Sequence, residues 1–125
     1  MDASSLGSDF VRFDGRSPVA FRVVRDGTGR LRISSDLEGS EPDIVIPPAS
    51  IERGMTMLKI ANTGDLHLKF DLYITPDGQR YVYTSSCPLL PRPAQGESFS
   101  AFESWPHAVA GFAIGAPREG GSTCE

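Results

Sequence analysis

Between residues 66 and 75 the chain reads LHLKFDLYIT, and apolar and polar side chains alternate through the stretch without a break. A period of two is the pattern of a strand with one face turned to a core, and a helix does not satisfy it. Leu66, Leu68, Phe70, Leu72 and Ile74 define the dry face, while His67, Lys69, Asp71, Tyr73 and Thr75 define a face that the pattern predicts to be wet. Pro76-Asp77-Gly78-Gln79 then supplies turn chemistry, so residues 80–85 (RYVYTS) are expected to return antiparallel. Upstream, residues 56–61 (TMLKIA) lead into Asn62-Thr63-Gly64-Asp65, a second turn. The expectation is a three-stranded meander.

The flanking sequence is punctuated in the same way. Residues 10–13 read as a short edge strand, and residues 19–25 (VAFRVVR) pair with 30–34 (RLRIS) across Asp26-Gly27-Thr28-Gly29 as a hairpin. Residues 43–46 (DIVI) are extended and closed by Pro47-Pro48, which lack the donors a central ladder needs. Residues 51–54 are expected to form a helical turn capped by Ser50 and stopped by Gly54. Prolines 88, 91 and 93 make residues 87–96 an irregular crossing between sheets. Phe99, Phe102 and Trp105 recur every third residue, the spacing of a short helix that plugs one end, and residues 108–116 (AVAGFAIGA) read as a buried strand. The fold class is therefore all-β: an antiparallel β-sandwich of six to eight short strands, with a small barrel as the alternative. One domain is expected over residues 1–125, with polar tails at 1–9 and 117–125.

The segment MLKIANTGDLHLKFDLYITPDG, about a fifth of the chain, resembles the strand, Asn-Thr-Gly turn and long alternating strand of bacterial immunoglobulin-like sandwich modules. The resemblance implies a sandwich and transfers no functional residue.

Composition restricts the function classes. The formal net charge is -4, which argues against a general nucleic-acid binder, and no apolar run approaches the length of a membrane span. Charge is nonetheless uneven along the chain: six arginines fall between residues 11 and 32, and residues 36–52 carry five acids and no base. Ten arginines against two lysines suggest a GC-rich bacterial genome.

No local motif supplies catalysis. His67 and His107 stand outside any metal-ligand spacing, so neither metal nor cofactor is expected. Cys87 is the candidate nucleophile, with a histidine as base and Asp71 as orienter, but Pro88 follows it where a helix N-terminus would be wanted. A hydrolase using Cys87 or a dispersed metal site is accordingly the third reading. Pairing Cys87 with Cys124 is the better use of both thiols: it clasps the tail and places the chain in an oxidising compartment, periplasmic or secreted, with the cytoplasm as the alternative.

Binding remains. The first reading is a non-enzymatic protein-binding domain, such as an inhibitor or immunity protein that occludes a secreted enzyme or toxin. Its candidate contacts are Arg22, Arg25, Arg30 and Arg32 on the hairpin, where guanidinium forks meet carboxylates, and Trp105, a residue type enriched in interfaces. The second is a small-molecule or carbohydrate-binding module using His67, Asp71, Tyr73, Tyr81 and Tyr83 as a polar and aromatic platform.

Overall fold

The parity of each apolar segment decides which side it turns inward, and most of the strands form where the sequence predicts them. The computed structural model describes residues Met1–Glu125. Its strands are β1 (Phe10–Phe13), β2 (Val19–Arg25), β3 (Leu31–Ser34), β4 (Ile44–Ile46), β5 (Ser50–Glu52), β6 (Met55–Asn62), β7 (Leu68–Thr75), β8 (Val82–Thr84), β9 (Phe99–Trp105) and β10 (Gly111–Glu119). One sheet has the order β1-β10-β7-β8, and the other runs β3-β2-β4-β6. In the second sheet β4 and β5 share one side of β6, and β9 lines the other. All pairings are antiparallel and neither sheet closes on itself, which makes the molecule a sandwich rather than a barrel. The count of ten exceeds the expected six to eight because β5 and β9 form where helical turns were expected.

The core lies between the sheets. Phe21, Ile44, Ile46, Leu58 and Ile60 from one meet Leu68, Phe70, Leu72, Phe112 and Ile114 from the other. Phe21 meets Phe70 edge-on at 5.9 Å, and Trp105 packs against Phe112 at 5.6 Å. β10 passes through both this core and the far face of its sheet, so residues 111–115 are buried throughout, as the doubly apolar sequence predicts. A bulge between Gly115 and Arg118 accommodates Pro117, and the strand continues to Glu119, into the stretch read as a polar tail.

Three local expectations fail for physical reasons. The meander breaks after β6, because β6 and β7 lie in different sheets; only β7 and β8 form the expected hairpin. The turn residues explain the break. Asn62 is fully buried and its amide donates to the carbonyls of Leu66 (2.7 Å) and Leu90 (3.0 Å), while the Thr63 hydroxyl donates to that of Pro42 at 2.6 Å. Asn-Thr-Gly-Asp thus builds an arch from one sheet to the other rather than a hairpin. Residues 50–52 form β5, not a helical turn; Arg53 (φ 53°) and Gly54 (φ 76°) make the left-handed corner of a tight β5–β6 hairpin. Residues 99–105 are β9, not a helix. Seven cross-strand pairs with β6 override the three-residue spacing of the aromatics.

Candidate functional site

The face of β7 predicted to be wet is mostly covered. Lys69 is 5% exposed and Thr75 is buried, while His67, Asp71 and Tyr73 are half-buried. The cover comes from both ends of the chain. A 3₁₀ turn at Ala3–Leu6 lays Leu6 against Tyr81 and Ala113, with Phe10 and Tyr73 packed beside them. Phe10, Tyr73 and Tyr83 then run edge to face at 5.7 and 5.5 Å. At the other end Cys87 is bonded to Cys124, which pins the C-terminal segment over Lys69. The Lys69 ammonium donates to the Ser86 carbonyl, to the Ser86 hydroxyl at 3.1 Å and to the Glu125 main-chain oxygen at 2.8 Å. Burial holds this amine below the usual lysine range, and the neighbouring Arg118 guanidinium adds to the effect. The Nε2 atom of His67 is buried without a partner.

These contacts occupy much of the ligand platform read from the sequence, although Asp71, Tyr73 and Tyr83 stay together on one face. Tyr81 is buried beneath Leu6, Asp71 is held by Arg118 at 2.9 Å, and Tyr73 is wedged between two rings. Only Tyr83 stays open, its hydroxyl pushed up by partial burial and then by the Asp71 charge. Of these residues Tyr81 alone borders a cleft.

The arginine hairpin is likewise self-neutralised. The guanidinium of Arg22 lies 3.6 Å from Glu38, that of Arg32 lies 3.0 Å from Asp26, and Arg25 is paired with Glu119 of β10. Asp26 also accepts from the Thr28 hydroxyl and the Thr28 and Arg30 amides, and these bonds hold its carboxyl far below the usual range. Arg30 alone reaches no acid. Trp105 is 7% exposed and its indole donates to the Thr84 hydroxyl, so it belongs to the interior and not to a docking surface. Cys87, as half of the disulfide, offers no thiol. Its amide donates to Glu103, whose carboxyl burial pushes up, opposed by that amide and by the Lys69 charge.

The open apolar surface is elsewhere. In β6 the even-numbered residues Thr56, Leu58 and Ile60 point inward, which leaves Met55 (44% exposed), Met57 (41%) and Lys59 on the outer face. β9 brings Phe102, 59% exposed, directly opposite Lys59 and diagonal to Met57. Met55, Met57 and Phe102 therefore form one apolar strip, with Ser50, Glu52, Lys59 and Ser104 around it on the same face. Sequence reasoning missed it because the aromatic spacing suggested a helix. The legible signal was β6 itself, where methionines alternate with inward apolar residues and so give the strand two apolar faces. A cleft of about 390 Å³ opens at the end of the sandwich near Ile51, floored by Phe112 and Val109 and rimmed by Asp14 and Arg16. No family model, curated protein or solved structure matches the chain.

Proposed function

We propose that this chain is a non-enzymatic protein-binding domain whose docking surface is the outer face of β5, β6 and β9. The observation that carries the reading is the exposed strip of Met55, Met57 and Phe102 across the unbroken β6–β9 register. Water-exposed apolar side chains that adjoin one another mark interaction surfaces, and methionine adapts its shape to a partner. The occupant is a protein with apolar side chains at its centre and polar groups at its rim, in keeping with the serine and charged surround. An inhibitor or immunity protein that occludes a secreted enzyme or toxin fits this surface. The disulfide supports an oxidising, periplasmic or secreted setting, and no helix is long and apolar enough to cross a membrane.

The test is differential retention. Immobilised wild-type chain and the variants Met57→Glu, Phe102→Glu, Arg22→Ala and Arg30→Ala are offered the same extract of the cells that make the protein. Support requires a partner held by wild type and by both arginine variants but lost with Met57→Glu and Phe102→Glu. For an inhibitor, added wild-type chain then titrates that partner's activity stoichiometrically. Retention indifferent to the face variants, or dependent on Arg30 alone, overturns the reading.

A further inference from the structure

Beside this face lies an open sheet edge. No main-chain group of Phe99–Trp105 bonds to anything but β6, so the far side of β9 presents a row of free donors and acceptors along seven residues. The competing edges are short or covered. Met1 exchanges main-chain bonds with Tyr81 and Asp2 bridges to Arg80 beside β8, while Asp9 takes the Ile33 amide of β3. β9 has no proline, no bulge and no outward lysine or glutamate; its one charged side chain, Glu103, points inward and accepts the Cys87 amide.

We infer that the β9 edge pairs antiparallel with the β9 edge of a second copy of this chain, about a two-fold axis through Phe102. The inference rests on the reading of this region as a docking surface. The argument for a second copy is the strand's own sequence, FSAFESW, which is self-complementary when read against itself in reverse. In that register Phe102 lies beside the partner's Phe102, Ser100 faces the partner's Ser104, Phe99 faces the partner's Trp105, and Ala101 faces the partner's Glu103. Aromatic meets aromatic, serine meets serine, and the half-buried carboxylate meets a methyl group instead of a like charge. Other registers are worse. Sliding by one residue places inner side chains opposite outer ones. Sliding by two either sets Glu103 against the partner's Glu103 or shortens the paired ladder by carrying Trp105 past the end of the partner's strand. The two-fold also joins the Met57–Phe102 strips of both copies into one continuous face, because these side chains stand off the sheet and stay clear of the paired edge. The partner protein would therefore meet a dimeric surface.

Sedimentation equilibrium up to about 1 mM protein tests the pairing on three chains: wild type, Ser100→Lys with Ser104→Lys, and Ser100→Glu with Ser104→Glu. Each is first checked for a native circular-dichroism spectrum. The expected result is a wild-type dimer, both double variants weakened about 100-fold or more by like charges facing across the axis, and dimers restored in their equimolar mixture. A wild type monomeric throughout, double variants that still dimerise, or a mixture that stays monomeric overturns the pairing. The two readings fail separately. A monomer whose captured partner is still lost with Phe102→Glu sinks the pairing and leaves the docking face; a charge-swappable dimer that retains no Phe102-dependent partner does the reverse.

Discussion

The indole nitrogen of Trp105 in β9 donates to the hydroxyl of Thr84 in β8 at 2.9 Å, a single hydrogen bond that links the edge strands of the two sheets. Beside it Trp105 packs on Phe112, so one side chain both fills the core and ties its two walls. Trp105→Phe keeps most of the ring but removes the donor. The expected loss is about 1–3 kcal/mol in urea unfolding, with partner retention unchanged. Lost retention in a variant that stays folded would return Trp105 to the interface that its residue type first suggested.

The Cys87–Cys124 bond closes a loop across 37 positions and holds the last residues over Lys69. In the chain-entropy model such a loop is worth roughly 3–4 kcal/mol. Replacing both cysteines with serine should lower unfolding stability by about that amount and speed amide exchange at Ser86, whose N–H reaches the Glu125 main-chain oxygen. Thiol titration of the denatured, unreduced protein should find no free thiol. Two reactive thiols in protein refolded in air would contradict the clasp.

Glu103 gives a pH signature. Burial pushes its carboxyl above the ordinary 4.5, so the folded state holds its proton over a window where the unfolded chain has released it. With more protons bound in the native state, stability falls as pH rises through that window. Glu103→Gln does not titrate there and keeps an oxygen for the Cys87 amide. The stability difference between variant and wild type should move in the variant's favour as pH rises from 4.5 and then level off. Parallel curves would place the carboxylate in water.

Asn62 tests the arch that the sequence disguised as a hairpin. Its amide serves carbonyls from two separate segments, and its own oxygen accepts the Gly64 amide at 3.0 Å. Asn62→Ala strands these buried groups and should cost about 2–4 kcal/mol. A loss below about 0.5 kcal/mol, the range of a surface substitution, would show that the amide is not needed to route the chain.

The same residues mark how far the sequence could be read. Alternation placed most of the strands, β5 and β9 excepted, and glycine, proline and aspartate placed most of the turns, because both are local properties of the backbone. The partner of each strand is not local. Asn62-Thr63-Gly64-Asp65 has the composition of a hairpin turn, and only the distant carbonyls it reaches turn it into an arch. The face bearing Lys69 and Tyr73 looked wet because period two separates polar from apolar without saying what later covers the polar side. Here the two chain ends do, and the cysteine pairing was the one sequence feature that anticipated it. Phe102 was misplaced for a third reason: a three-residue spacing fits a helix, but in a strand it puts Phe99 and Phe102 on opposite faces.

The most direct measurement is hydroxyl-radical footprinting of the free chain and of its complex with the captured partner. Met55, Met57 and Phe102 are exposed and oxidise readily, and Met1 and Tyr83 serve as exposed residues elsewhere on the surface. The expected result is protection of Met55, Met57 and Phe102 in the complex, with Met1 and Tyr83 unchanged. Protection that appears at Tyr83 or along the arginine hairpin, while the β6–β9 face stays reactive, would contradict the account.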